Sequence, residues 1–345
     1  MVRKALFASL ALAPATIALH YLVHPPETVE FVLAAASLIP LAWLIGEATE
    51  HAAEHTGPGV GGFLNATFGN APELIIALIA VNEGLTEVVR GSLTGSVVSN
   101  LLLVLGASLI AGGRGTVDRF SSLLSLALIA FATVLFLAPS VPGWNGDPDT
   151  HGLAVLSAAL SVVLLVVYVA VTWFSLRRHA TMHVASDDEI EGWSLRQALG
   201  ALAVATAVTA LVAEILVGSI DAFAEKAGLS EFFVAAVIVA IVGNAAEHGG
   251  AIVVAARGKI ALAAEIALAS AAQVAVFLIP AVALLSWLIE PLSLSFRPVE
   301  IAALAGSVVY TVLVLAGGRS SRLRGGLLVG GYAVVVVAFF AAGDR

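Results

Sequence analysis

The stretch "FGNAPELIIALIAVNEG", Phe68–Gly84, decides how this chain is read. It places Glu73 inside an otherwise apolar run. A near-copy, "VGNAAEHGGAIVVAARG", Val242–Gly258, places Glu247 in the same setting 174 residues later. A charged group at the centre of a bilayer costs about 3 kcal/mol or more, so carboxylates at that depth are rare and mark function. Two at matched positions ask for one shared explanation.

The setting is a membrane. The chain has 345 residues, of which 60% are hydrophobic and 12% charged, about half the charge of a typical soluble domain. Apolar runs of roughly 20 residues recur along it, each long enough to span hydrocarbon as a helix. Runs such as "LSAALSVVLLVVYVAVTWF", Leu156–Phe174, lack the two-residue alternation of a barrel strand. With no cysteine in the chain, disulfides, thiolate metal sites and cysteine nucleophiles are excluded. Two methionines leave little for soft-metal binding. A net charge of −8 without basic clusters does not suit nucleic acid. The opening "MVRKALFASLALAPATIALHYLV" resembles a signal peptide, but a first spanning helix is the preferred reading.

Hydropathy predicts an all-α integral membrane protein of eleven spans, near 5–22, 28–47, 61–82, 88–112, 120–140, 152–174, 195–217, 230–256, 260–289, 297–316 and 323–342. With the N-terminus cytoplasmic and the C-terminus outside, twelve Lys and Arg residues fall inside and four outside, as the positive-inside rule requires. The parts are an N-terminal helix (1–27), a first five-helix repeat (28–178), an acidic cytoplasmic linker (179–194) and a second repeat (195–345). The 174-residue offset carries Ser96 onto Ser270 and Ser99 onto Gln273. Each half therefore has Gly-Asn-x-x-Glu followed by two polar positions on the next span. An odd number of spans per repeat inverts the second copy in the membrane. Inverted repeats of this kind build secondary transporters, with the site at the repeat interface near the midplane.

The residue types suit ion chemistry. Gly69 with Pro72, and Gly243 in the second copy, weaken the helix where carbonyl oxygens would face a cavity. Glu73 and Glu247 supply two charges, Asn70 and Asn244 precede them by one turn, and Ser96, Ser99, Ser270 and Gln273 can face them from neighbouring spans. Every ligand offered is hard oxygen, which suits Ca²⁺. Carboxyl groups shielded from water also hold protons readily. One pair can bind either a divalent cation or protons, and that exclusion is the physical core of an antiporter. The bland alternative, in which Asn and Ser only pack helices, fits each of them alone better than it fits the paired glutamates.

The residues also carry a resemblance. "GPGVGGFLNATFGNAPELIIALIAVNEG" followed by "GSLTGSVVSNLLLVLG" resembles the first α-repeat of the calcium/proton exchanger (CAX-type) family of the cation/calcium exchanger superfamily. "VGNAAEHGGAIVVAARGK" followed by "LASAAQVAVFLIP" resembles the second. The likeness is specific over 45–110 and 210–285. It implies an eleven-helix fold with Glu73 and Glu247 as carriers of cation and proton. It also implies ligation from around Asn70 and Asn244 and from the Ser96/Ser99 and Ser270/Gln273 regions. Gly-Asn stands where the sodium-coupled branch reads Gly-Thr-Ser, which favours protons as the driving ion. Ala246 replaces the proline that precedes the first glutamate, so the half-sites need not be equivalent.

Other features weigh less. His51, Glu54 and His55 match the H-x-x-E-H zinc-hydrolase pattern without a third ligand, and a solvated helix end is the simpler reading. A regulatory divalent site including Glu47 and Glu50 stands between the two. Asp187, Asp188, Glu189 and Glu191 form an acidic run that is by default solvated and is a candidate Ca²⁺ sensor by family resemblance. Glu214 and Glu265 are candidates for an ion path. The expectation is a non-enzymatic antiporter without cofactor, exporting cytosolic Ca²⁺ against inward protons across a prokaryotic plasma membrane. Its partners are then Ca²⁺, protons and lipid, with self-association open. Na⁺, K⁺ or Mn²⁺ exchange on the same fold is the alternative.

Overall fold

Both Gly-Asn stretches are breaks between helices. In the computed structural model, which describes residues 2–180 and 192–344, nearly the whole chain is helical. The acidic run at Asp187, Asp188, Glu189 and Glu191 lies outside the described residues. Helices α1 (Val2–Ser9) and α2 (Leu12–Leu22) precede α3 (Glu27–Phe68), α4 (Ala71–Asn82), α5 (Thr86–Val98) and α6 (Leu105–Gly112). A wide π-turn, Ser99–Val104, joins α5 to α6. Then follow α7 (Arg119–Gly143), α8 (His151–Ala180), α9 (Leu195–Gly218) and α10 (Ile220–Ala227). Next come α11 (Glu231–Phe233), a π-turn at Val234–Val239, α12 (Ala240–Gly243) and α13 (Ala245–Ala256). The last are α14 (Ile260–Gln273), a π-turn at Val274–Leu278, α15 (Ile279–Leu285), α16 (Pro298–Leu315) and α17 (Arg322–Ala342).

Among the described residues, eight helical stretches are long and apolar enough to cross a bilayer, or nine if the 109° bend between α10 and α11 lies within one span. The expected spans 28–47 and 61–82 are not separated between 47 and 61, because α3 runs as one helix of 42 residues. That is about 63 Å at 1.5 Å per residue, roughly twice the hydrocarbon thickness. The polar stretch "GEATEHAAEH" reads by hydropathy as the end of a span, yet Ala and Glu are strong helix formers and carry the helix onward. The expected span 230–256 is interrupted at Asn244.

The backbone repeats at the offset seen in the sequence. Helices α4 and α13 begin and end 174 residues apart, as do the starts of α5 and α14 and of α6 and α15. Gly84 and Gly258, which close the two site-bearing segments, both take left-handed turns at φ 72° and 83°. The break residues match in conformation: Asn70 at φ −100°, ψ 16° and Asn244 at φ −91°, ψ 9°. Only the first copy has a proline, Pro72, in the turn after the break. The break therefore does not depend on proline.

Helix α5 is the centre of the packing, buried along its length from Val88 to Val98. Gly91 and Gly95 form a GxxxG ridge that lets two backbones meet. A Cβ at Gly91 would touch the Phe232 ring, and one at Gly95 would overlap the Ala236 carbonyl. Gly106 and Gly325 do the same between α6 and α17, each glycine facing the other's carbonyl oxygen.

The two ends of the bundle differ. At one end, the short strands β1 (Gly115–Thr116) and β2 (Arg319–Ser320) pair antiparallel and join the loops that follow α6 and α16. At the other, residues 290–297 form an irregular segment, buried from Leu292 to Arg297, with Leu292, Leu294 and Phe296 at its core. Irregular backbone at depth needs internal partners. Ser157 Oγ accepts from Leu294 N at 2.8 Å, Ser140 Oγ accepts from Phe296 N at 3.0 Å, and Trp144 Nε1 donates to the Phe296 carbonyl at 2.8 Å. Buried Arg90 reaches Asp149 at 2.7 Å and donates to the Ser293 carbonyl at 3.3 Å.

The Gly95 contact is directly testable. Gly95→Ala forces α5 away from the Val234–Val239 turn and should destabilise the protein by about 1–3 kcal/mol, the cost of overpacking a full core. Gly200→Ala, where a Cβ meets nothing within 4 Å, should cost nothing. Thermal unfolding of the two variants in detergent checks the contrast.

Candidate functional site

The breaks at Asn70 and Asn244 start two helices, α4 and α13, and put a glutamate at the third position of each. Negative charge is favoured in the first turn, where backbone N–H groups lack helical partners. Both break carbonyls stay in use: Asn70 O accepts from Leu74 N and Asn244 O from His248 N, each at 3.0 Å. The geometry that breaks each helix thus also favours its carboxylate.

Packing then brings elements of the two halves together. Glu73 is buried, and its side chain lies against Gly243, where a Cβ would stand 3.2 Å from Glu73 Cγ and 3.9 Å from Oε1. Glycine at 243 makes room for the carboxylate of the other copy. Glu247 itself accepts a short hydrogen bond from Ser270 Oγ on α14. Asn244 Nδ2 donates to Ser96 Oγ and to the Ala240 carbonyl, both at 2.9 Å.

A cavity of about 620 Å³ leads to this cluster. Glu47 and Glu50 of α3 line it, together with Gly69, Gly243 and Glu247. Glu247 is half-buried facing it, whereas Glu73 sits deeper behind Gly243. One carboxylate therefore meets the cavity before the other.

The sequence candidates separate in the structure. Glu73, Glu247, Asn244, Ser96 and Ser270 converge, with Gly69 and Gly243 at the breaks. Asn70 is buried at the first break. Ser99 is buried but turns its hydroxyl back to the Ser96 carbonyl at 3.1 Å, and half-buried Gln273 forms no hydrogen bond to the cluster. Glu214 and Glu265 are exposed on α9 and α14 and are not brought to it.

The histidine motif is also placed elsewhere. His51 Nδ1 lies 3.2 Å from Glu54, and its ring stacks on Trp193 at 5.4 Å. His55 Nε2 donates to the Trp193 carbonyl at 2.8 Å. Both histidines thus hold the residue that precedes the α9 cap. Among the described residues no group of three His, Cys, Asp or Glu side chains could hold a metal.

Two buried polar residues escaped the sequence reading. Asn100, in the π-turn one helical turn after Ser96, donates from Nδ2 to Asn244 Oδ1 at 3.2 Å. The signal was a lone amide in "SNLLLVLG". Glu300 accepts from Thr94 Oγ1 at 3.1 Å and from Arg297 N at 2.7 Å. Its position two residues after Pro298 is a helix-start pattern legible in "FRPVE".

Comparison with known proteins gives this geometry a context. A family model described as sodium/calcium exchanger protein matches residues 27–177 and 197–341. The chain is 36% identical to a Ca²⁺/H⁺ antiporter of Aphanothece halophytica, covering 97% of this chain and 95% of that one. It is 37% identical to the Ca²⁺/H⁺ antiporter ChaA of Bacillus subtilis, covering 92% and 94%. The solved structure of native YfkE superposes with a TM-score of 0.84 at 34% identity, over 97% of this chain and 99% of the other.

Crowding at Gly243 tests the site. Gly243→Ala pushes on Glu73 and should raise the cation concentration needed for half-maximal flux several-fold in folded protein. Gly249→Ala, six residues on with nothing within 4 Å, should leave it unchanged. Isotope flux in reconstituted vesicles measures both.

Proposed function

This chain belongs to the sodium/calcium exchanger protein family, and on that premise we propose that it is a Ca²⁺/H⁺ antiporter whose carriers are Glu73 and Glu247. The relatives named as Ca²⁺/H⁺ antiporters support the pair of ions. The observation that carries the residue assignment is the cross-contact between halves: Glu73 of one against Gly243 of the other, at the inner end of a cavity lined by further carboxylates.

The mechanism follows from charge. Bound Ca²⁺ neutralises the two carboxylates, and so do two protons. The empty, doubly charged pair is the state least able to change access, because uncompensated charge would cross a region of low dielectric. Exchange is then obligatory without a separate gate. Ca²⁺ enters along Glu47 and Glu50, meets Glu247 first and is completed by Glu73. Ser270, Ser96, Asn70 and Asn244 shape the oxygen cage, with Ser99 and Gln273 beside it. Protonation of the carboxylates from the far side releases the ion. The vestibule acids explain a preference for divalent cations, and Mn²⁺ fits the same oxygens.

The architecture proposed is eleven spans: an N-terminal helix (1–27) and two inverted five-helix repeats (28–178 and 195–345), joined by a cytoplasmic linker (179–194) that is a candidate Ca²⁺ sensor. The 174-residue recurrence of helix ends, break conformations and left-handed glycines supports the repeat. The β1–β2 pairing supports the sidedness, because it holds Arg114, Arg119, Arg319, Arg322 and Arg324 at one end. That end is cytoplasmic by the positive-inside rule. The 290–297 segment and the Arg90–Asp149 pair then close the external end, in what we take to be a prokaryotic plasma membrane.

Two experiments test this. Glu73→Gln and Glu247→Gln keep shape but remove charge and titration, and each should abolish Ca²⁺ flux in protein that still folds. In the parent, Ca²⁺ uptake into vesicles should require an outward proton gradient. It should weaken as pH falls on the Ca²⁺ side, where protons compete for the same oxygens. Uptake driven by Na⁺ at zero pH gradient, or substantial flux in either variant, would falsify the two-carboxylate exchange. For topology, the chain has no cysteine background. Asp118→Cys should be labelled by an impermeant maleimide from the cytoplasm and Asp147→Cys from outside. Labelling of both from one side would sink the eleven-span arrangement.

A further inference from the structure

The two breaks have matching backbones but unequal surroundings. Asn244 spends its whole donor capacity within the protein: one N–H on Ser96 Oγ and one on the Ala240 carbonyl, each at 2.9 Å. Its Oδ1 accepts from Asn100 Nδ2 at 3.2 Å. Asn100 and Asn244 are almost wholly buried, at 0% and 1% exposure. The partners cross the halves, since Ser96 and Asn100 belong to α5 and its π-turn whereas Asn244 joins α12 to α13. The close approach needed for this is the one that Gly95 permits against Ala236. The residue 174 positions after Asn100 is Val274, an apolar side chain with no donor, so the first break has no amide in the equivalent place.

We propose that Asn100 is a positioning residue: its amide fixes the orientation of Asn244 and thereby latches the second helix break, and the Glu247 that follows it, onto α5. The half-site that faces the cavity is thereby held in register by the opposite half of the chain, through an amide whose position 174 residues on is taken by Val274. An amide pair suits this task. It fixes an orientation through one directional bond, adds no charge to a site already bearing two, and is strong where water is scarce. The π-turn contributes as well, because an extra residue per turn re-aims the side chains that follow. Asn100 sits at its second position, where the re-aimed face meets Asn244. Asn100 Oδ1 is buried without a protein partner. A buried acceptor so placed is costly to leave dry.

This inference rests on the reading of Glu73 and Glu247 as ion carriers. The test is a double-mutant cycle on Ca²⁺ uptake in vesicles under a fixed proton gradient, with Asn100→Leu, Asn244→Leu and the pair. Losing one buried hydrogen bond in the site should raise the KM for Ca²⁺ roughly tenfold in Asn100→Leu. The kcat should stay within about twofold, because the carriers are untouched. The double variant should be no worse than Asn244→Leu alone, since the latch acts only through Asn244. Independent, multiplying losses would overturn the latch and make Asn100 a direct ligand through Oδ1. An unchanged KM in Asn100→Leu would also overturn it. If the leucine variant does not fold, Asn100→Thr closes the same cycle. Glu73→Gln runs beside them: flux retained there defeats the carrier reading, whereas the coupling between Asn100 and Asn244 decides the latch on its own.

Discussion

A carboxylate cannot rest in a low-dielectric interior without something to answer its charge, and the architecture around Glu73 and Glu247 follows from that constraint. Each glutamate stands in the first turn of a helix begun by a break, where free N–H groups favour negative charge. Ser270 donates a hydrogen to Glu247. Glu73 Oε2 has no hydrogen-bond partner among the described residues, and the side chain packs against a glycine of the other half. Compensation is deliberately incomplete, since a fully satisfied pair would have no use for a cation or a proton. In the proposed mechanism that deficit is what the transported ions supply.

Close backbone contact is the second requirement. Polar side chains from two halves of the chain meet only if the helices carrying them approach more closely than ordinary side chains allow. Gly91, Gly95, Gly243 and the Gly106–Gly325 pair clear that space. Lipid gives little hydrophobic drive for association, so such contacts, together with interhelical hydrogen bonds like Asn100–Asn244 and Thr94–Glu300, hold the bundle together. The end of the bundle that carries residues 290–297 uses the same economy. Its irregular backbone is tolerated because serines of α7 and α8 and an arginine of α5 take up its hydrogen-bonding groups.

Much of this was legible in the chain. Apolar runs gave most helices to within a few residues, because a spanning helix needs a length the bilayer dictates. Glu73 and Glu247 stood out because charge is rare among apolar neighbours. The offset of 174 recurs in backbone angles as well as in letters. Where the reading went astray, local composition misled it. The polar "GEATEHAAEH" reads as the end of the span at 28–47, yet its residues favour helix and α3 runs through it to Phe68. Glu214 and Glu265, the candidates for an ion path, are exposed on α9 and α14, away from the glutamate cluster.

Length, apolar periodicity and isolated charge are properties of single segments, so the membrane class, the helices and the two glutamates are determined by composition and spacing alone. Which side chains meet is a property of pairs distant in sequence, and no local pattern encodes it. Only the tertiary packing placed Glu73 against Gly243, aimed Ser99 back at its own helix and set the histidines on Trp193. Only packing made Asn100 a partner of Asn244, 144 residues away, because the orientation of a buried amide is fixed by the donors and acceptors that folding brings around it.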